Sequence, residues 1–258
     1  MQYALITGAS KGIGKEIAIE LAKRGYHLLL VARSSNLLAE LAGNIQQHYA
    51  VSVDYCAIDL AKTNAAKTLF NWCSEKNYSI HILVNNAGYG LSGLFSSYSI
   101  EEHQAMMQVN MQVPVELVHS FLPMLQKQNK AYILNIASSA AYQAVPGLSV
   151  YAASKAFILN FSRGLQYELR NTKVSVTAVS PGATDTDFPN RANVGEKALK
   201  TAEKVNMSAE EVAKIAVNAM FTKKTEVVAG FINQLGAFLV WLLPKKLAEK
   251  TAAGIYNL

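Results

Sequence analysis

The 258-residue sequence predicts an α/β fold, a doubly wound parallel sheet of seven strands with helices on both faces. Two observations predict it. Short, continuous apolar runs alternate with amphipathic segments from the first residues onward, and strands apolar on both sides belong inside a sheet covered on both faces. Between the first run and the first amphipathic segment stands a glycine-rich turn, Thr7-Gly8-Ala9-Ser10-Lys11-Gly12-Ile13-Gly14. A strand, such a turn and then a helix place backbone N–H groups and the positive end of the helix dipole where an anion can sit.

In chain order, Gln2–Thr7 reads as the first strand, and Gly12–Gly25 as a helix with Ile13, Ile17 and Leu21 on one face. His27–Ala32 is a buried strand, followed by a helix near Asn36–Gln47; Val51–Ile58 is the third strand and Asn64–Glu75 the next helix. Ile80–Val84 is the fourth strand. Ser99-x-x-Glu102 is a capping box, in which the serine oxygen and the glutamate satisfy free N–H groups at a helix start. Ala131–Ala137 is the fifth strand, Tyr151–Arg170 a long helix and Val174–Ser180 the sixth strand. A second capping box, Ser208-x-x-Glu211, opens a helix reaching about Phe221, and Glu226–Ala229 supplies the seventh strand. No linker breaks the alternation, so one domain over residues 1–258 is expected. Residues 183–207 are polar, basic and without clear period, which marks a substrate-binding loop or lid.

Composition removes several alternatives. With 51% hydrophobic and 16% charged residues the chain is not disordered. Cys56 and Cys73 have no metal-ligand spacing and read as reduced core thiols, and none of His27, His48, His81, His103 and His119 pairs with another at i, i+4. The histidines therefore read as surface or cap residues, and no metal site is expected. Structure begins at the first residues, so no signal peptide and a cytoplasmic location are expected. The net charge of +6 is carried by the two ends: residues 1–35 and 223–258 each hold five Lys/Arg against two Glu. No dense basic stripe with aromatic or helix-turn-helix context accompanies it, so nucleic acid is excluded as a partner. An anionic cofactor at the first end and an acidic surface at the last are the specific readings.

The turn holds three glycines in the spacing G-x3-G-x-G, so Gly8, Ser10, Lys11, Gly12, Ile13 and Gly14 form the candidate pyrophosphate cradle. Arg33, with Ser34 beside it, follows the second strand where an acidic residue would hold the ribose hydroxyls of NAD. A guanidinium there and the Lys11 ammonium would clamp a 2′-phosphate, which selects NADP(H). Asp59, with Leu60, ends the third strand; it reaches the adenine amino group or caps the next helix.

Tyr151-x3-Lys155 puts a phenol and an ammonium one turn apart on one helix face. Ser138 lies just past the fifth strand, and Asn110 lies in the helix after the fourth. Carbonyl reduction by hydride needs a proton for the developing alkoxide. A phenol of ordinary pKa, about 10, holds that proton but is a poor base in the reverse reaction. An ammonium roughly 4 Å away at an effective dielectric near 20 contributes about 4 kcal/mol, enough to bring the phenol toward 7. Ser138 would then orient the carbonyl, and Asn110 would hold a water passing protons to Lys155.

These residues together resemble the short-chain dehydrogenase/reductase (SDR) family over residues 1–190. The resemblance rests on Thr7-Gly8-x3-Gly12-x-Gly14, Asn85-Asn86-Ala87-Gly88, Asn110, Ser138, Tyr151-x3-Lys155 and Pro181-Gly182, all in register. It implies a single-domain Rossmann fold and hydride transfer to or from a nicotinamide. It implies Tyr151 as acid/base, Ser138 as carbonyl orienter, Asn110 as water-relay residue, and Lys155 as a second ligand of the nicotinamide ribose. Asn86, Ala87 and Gly88 would line the ribose region; Pro181, Gly182, Thr184 and Thr186 would hold the carboxamide and phosphates. The expected protein is an NADP(H)-dependent oxidoreductase acting on a ketone, aldehyde or secondary alcohol, probed against a non-catalytic dinucleotide-binding sensor or scaffold on the same fold.

Leu91, Phe95, Tyr142, Val145 and Phe188 flank these motifs and point to an apolar small-molecule substrate or to ordinary packing. Residues 227–244 carry no charge and end in Pro244-Lys245-Lys246. A strand and a helix packed on a neighbouring subunit of a homodimer or homotetramer is the first reading of residues 230–258. Peripheral contact with an acidic membrane surface is the second.

Overall fold

Each apolar run becomes a strand of one sheet. In the computed structural model, which describes residues 1–203 and 206–255, the chain forms β1 (Tyr3–Thr7), α1 (Gly12–Ala22), β2 (His27–Ala32), α2 (Ser35–His48), β3 (Val53–Ala57), α3 (Ala65–Glu75) and β4 (Ile80–Asn85). There follow α4 (Ile100–Met107), α5 (Val113–Gln126), β5 (Ala131–Ile136), α6 (Ser149–Glu168) and β6 (Val174–Ser180). The remaining elements are β7 (Thr184–Asp185), α7 (Phe188–Ala192), α8 (Glu196–Glu203), β8 (Met207–Ser208), α9 (Ala209–Phe221), β9 (Glu226–Val228), α10 (Phe231–Leu242) and α11 (Lys245–Ile255). Positions 204, 205 and 256–258, inside the expected substrate loop and C-terminal segment, lie outside the described residues.

The main sheet has seven parallel strands in the order β3-β2-β1-β4-β5-β6-β9. Successive side chains of one strand point to opposite faces, and the sequence fills both. Ala4, Ile6, Leu28, Leu30, Ile82 and Val84 pack in one core with α1, α2 and α9. Leu5, Leu29, Val31 and Leu83 pack in the other with α3 and α5. This is why the strands read as unbroken apolar runs, and it makes the fold a doubly wound Rossmann-like one. Strand order reverses between β1 and β4, so the crevice for a ligand lies past their C-terminal ends.

The capping boxes at Ser99/Glu102 and Ser208/Glu211 both form, with reciprocal side-chain and backbone bonds. Between α4 and α5, Gln108–Gln112 winds as a single π-helical turn. The expected irregular loop contains structure instead: β7 and β8 pair as a two-residue parallel ladder, with α7 and α8 between them. One histidine departs from expectation. His103 is buried, stacked on Phe95 with ring centroids 4.7 Å apart, and its Nε2 lies 3.1 Å from the Phe95 carbonyl oxygen. It is a packing residue of the Phe95 turn rather than a surface one. Cys73 is buried and Cys56 half-buried, both as free thiols. No cluster of metal-ligating side chains occurs among the described residues, and no described helix is long and apolar enough to cross a membrane.

Candidate active site

The ends of β1 and β4 are laced together by two side chains. Thr7 Oγ1 accepts the N–H groups of Asn86 (3.0 Å) and Ala87 (3.1 Å) and donates to the Val84 carbonyl. Asn86 Nδ2 donates to the carbonyl oxygens of Thr7 (2.9 Å) and Gly8 (3.1 Å). This holds the glycine turn against the Asn86-Ala87-Gly88 segment at the switch point. Gly8 and Gly12 adopt left-handed backbone, φ +67° and +54°, which side chains disfavour. At Gly14 the constraint is space: a Cβ would lie 2.3 Å from the Gly8 carbonyl oxygen and 2.4 Å from Asn86 Nδ2. Gly14→Ala is therefore expected to cost at least about 2 kcal/mol of stability, because the nearest obstacle is backbone that cannot swing aside. A melting temperature equal to wild type would contradict that packing.

At the N-cap of α1, Lys11 makes no side-chain cap, and the first turn contains no acidic residue. The opening amides of the helix thus face the crevice with a glycine cradle in front, an arrangement that fits the pyrophosphate of a dinucleotide. Thr186 leans over the same turn, its Cγ2 2.9 Å from where a Cβ on Gly12 would stand. Lys11 Nζ is 3.2 Å from Asp187 Oδ2, both groups more than half exposed. Lys11 is thus paired with Asp187 of the segment past β6. An exposed pair of this kind is worth at most about 1 kcal/mol, so a phosphate can take the place of Asp187. Arg33 is exposed just past β2, and Ser34 is the N-cap residue of α2 without a side-chain cap bond. Asp59 Oδ1 accepts the Ala61 N–H (3.1 Å) in the turn ahead of α3, whose N-cap residue is Asn64, so Asp59 does not cap that helix; Leu60 is buried beside it.

On the other side of the crevice the π-helical turn presents Asn110. Such a turn inserts one extra residue into the helix and redirects its side chains. Asn110 Oδ1 accepts the Tyr89 N–H (3.1 Å), while Nδ2 donates to the Tyr89 carbonyl (2.9 Å) and Ser154 Oγ (3.0 Å). The amide is consequently a fastener between the segment after β4 and α6. The link through buried Ser154, adjacent to Lys155, is invisible in sequence because its partner is 44 residues away.

Lys155 is buried, and its Nζ donates to the Ile136 carbonyl at 2.8 Å. Desolvation lowers its pKa from 10.5 to about 8. The ammonium stands 5.9 Å from the centroid of the Tyr151 ring. Gly88 opens the space beside it: a Cβ there would be 3.2 Å from Lys155 Nζ and 3.1 Å from Asn110 Oδ1. Gly90 does the same for Tyr151, with a Cβ meeting Phe188 Cζ at 3.0 Å and Tyr151 Cδ2 at 3.4 Å. Tyr151 itself is buried among Met106, Val145, Leu148 and Ala252, with Leu91 and Phe188 packed against them. Of the flanking residues singled out in the sequence, Leu91, Val145 and Phe188 surround Tyr151. Phe95 is exposed, and Tyr142 instead donates to Glu226 at 2.5 Å.

Ser138 follows β5 in extended backbone, and its Oγ accepts the Ala140 N–H at 3.1 Å. The adjacent Ser139 N–H bonds the Pro181 carbonyl (2.7 Å), which ties the ends of β5 and β6 together. Gly182 lies directly under Asn233 of α10, where a Cβ would be 2.2 Å from its Oδ1. Thr184 Oγ1 donates to the Gly182 carbonyl (3.1 Å), and Thr186 Oγ1 accepts the Phe188 N–H (3.3 Å). Asp187 and Asn233, which seat the segment past β6 against α1 and α10, carried no sequence motif.

Comparison with known proteins agrees with this architecture. Residues 2–199 match the family model described as short chain dehydrogenase. An uncharacterized oxidoreductase of Staphylococcus saprophyticus is 34% identical over 196 residues, covering 76% of this chain and 84% of its own. A solved short-chain dehydrogenase from Sphingobium yanoikuyae in complex with NADPH has a TM-score of 0.79 at 31% identity, covering 89% of this chain and 87% of that one. Another, from Burkholderia phymatum in complex with NAD, has a TM-score of 0.81 at 23% identity over 92% of each chain, a likeness of fold. The chain belongs to the short-chain dehydrogenase family of oxidoreductases, whose members work with a nicotinamide dinucleotide.

Proposed function

We propose that the protein is an NADP(H)-dependent oxidoreductase that interconverts an apolar ketone or aldehyde and its alcohol. The observation that carries this reading is a buried lysine ammonium beneath a buried tyrosine in an apolar surround. A cation held in that position is costly unless it acts on something, and the neighbouring phenol is the group it can act on. The nicotinamide, when bound, supplies or accepts the hydride.

The chain's own residues do the rest. Tyr151 donates the proton to the carbonyl oxygen. Lys155, which stays mostly charged at neutral pH, stabilises the phenolate left behind, so the same pair serves both directions. Ser138 already accepts a bond from Ala140, which leaves its hydroxyl hydrogen to be donated to the substrate carbonyl. Asn110 acts by holding Tyr89 and Ser154, hence the spacing between the segment after β4 and α6. Met106, Val145, Leu148 and Phe188 exclude water from the reacting atoms and favour an apolar substrate.

For the cofactor, what supports NADP(H) is the exposed Arg33 past β2, with no acid next to it in the chain, and Lys11 within reach of the same crevice. Arg33→Asp is expected to weaken NADPH binding by about 30-fold and NADH binding by less than about threefold, since a charge-assisted bond to phosphate is lost only with NADPH. Titrating both by nicotinamide fluorescence decides it; equal losses would remove the phosphate clamp. The activity is tested with a panel of apolar ketones and aldehydes, following NADPH absorbance with NADH alongside. Consumption that depends on the carbonyl compound supports the reading.

A further inference from the structure

We propose that the outward face of α10 docks, lying in the plane of the surface, onto a membrane leaflet rich in anionic lipid. The helix is amphipathic in the reverse of the usual sense. A helix on a globular protein turns its large apolar residues inward. In α10 the partly covered positions are Asn233, Ala237 and Val240, one face of small or polar character. Its large side chains face out: Phe231 is 78% exposed, Trp241 75% and Leu242 63%, and Ile232, Leu235, Phe238 and Leu239 are exposed with them. No residue of the helix is fully buried.

Its attachment to the fold does not depend on those apolar side chains. Asn233 Nδ2 donates to the Ala229 carbonyl at 2.7 Å, and Gln234 Nε2 to the Val228 carbonyl at 3.0 Å. The side chain of Asn233 sits over Gly182. The apolar face is thus held outward by the polar one. Leu243 and Leu247, exposed just beyond, extend it past Pro244.

Charge selects the occupant. Residues 231–248 contain no acidic side chain, and Lys245, Lys246 and Lys250 stand exposed at the C-terminal border of the apolar face. Glu249, partly covered, is the single acid through residue 250. A second copy packed two-fold on this face could cover the apolar side chains, but its own residues 231–248 offer the lysines no acidic partner. Anionic headgroups supply the missing charge, while the acyl boundary takes the Phe, Leu and Trp side chains. Trp241, beside the lysines, belongs at the headgroup level. The helix is too short to span a bilayer, so the contact is peripheral.

The same segment reaches the catalytic side. Through Leu243 and Pro244 α10 leads into α11, whose Ala252 lies in the apolar cluster around Tyr151. A docked α10 therefore holds one wall of that cluster near the lipid. The proposal stands on the face itself, so it can fail without touching the carbonyl chemistry, and the reverse.

The test is co-sedimentation of the full chain with vesicles of phosphatidylglycerol in phosphatidylcholine, against vesicles of phosphatidylcholine alone, at low salt. Binding to the anionic vesicles at least about tenfold tighter is expected, since each lysine near such a surface strengthens it by about fivefold. Lys245→Glu/Lys246→Glu and, separately, Phe238→Glu/Trp241→Glu should each weaken it by at least about tenfold, with melting temperature and NADPH binding as in wild type. Absence of binding to anionic vesicles would overturn the proposal. So would a wild-type dimer by light scattering that Phe238→Glu/Trp241→Glu converts to monomer, because a second copy would then own the face.

Discussion

Tyr151→Phe should lower turnover of a carbonyl substrate by about 10³-fold while NADPH affinity changes by less than about twofold. The size follows from loss of a positioned general acid, typically a factor of 10² to 10⁴. The selectivity follows from where the ring sits. Phenylalanine keeps its packing against Phe188, at a 5.2 Å centroid separation, and against Val145 and Leu148. Only the hydroxyl is lost, so the site keeps its shape and the fold its stability. Steady-state rates with NADPH titration in parallel check both halves. Loss of NADPH affinity together with turnover would mean that the hydroxyl holds the cofactor rather than supplying the proton.

Lys155→Met should do something rarer: abolish most activity and stabilise the cofactor-free protein. In the unfolded chain the lysine titrates near 10.5, in the folded one near 8. The folded state therefore disfavours the charged form, at a cost of about 3 kcal/mol that is present in full below pH 8 and relieved as pH rises from about 8 to about 10.5. Methionine fills similar volume without charge, but leaves the Ile136 carbonyl without its 2.8 Å bond, which returns about 1 kcal/mol or more. A net gain of about 1–2 kcal/mol at pH 7 is expected, shrinking toward pH 10. Turnover should fall by about 10²- to 10³-fold, because the phenol loses the charge that stabilises its conjugate base. Denaturant titrations of both proteins at pH 7 and pH 10 measure the stability side. A variant less stable than wild type at pH 7 would show that the ammonium holds the fold together rather than straining it.

The parts of this molecule legible in sequence were those fixed by local rules. β2 and β6 begin and end where their apolar runs do, and both capping boxes form because serine and glutamate three residues apart answer a local need for hydrogen bonds. The cradle was legible because its constraints, positive φ at Gly8 and Gly12 and no room for a Cβ at Gly14, leave only glycine. What escaped depended on contacts between distant segments. The bonds of the Asn110 amide to Tyr89 and Ser154, and the π-helical turn that presents it, had no local signal. The Lys11–Asp187 pair joins residues 176 apart. The β7–β8 ladder is two residues long, below what a pattern of side chains can announce. In α10, periodicity identifies which residues share a face but not which face looks inward, and the polar anchor at Asn233 turned the apolar one out.

Isotopic labelling reads most directly whether the Tyr151 hydroxyl completes a hydride transfer. With NADPH deuterated at the transferable position and an apolar ketone turned over by the wild type, the account predicts one deuterium on the carbinol carbon of the product, seen by mass spectrometry. Under saturating cofactor, Tyr151→Phe should form labelled alcohol about 10³-fold more slowly. Labelled alcohol formed by the variant at the wild-type rate would contradict it.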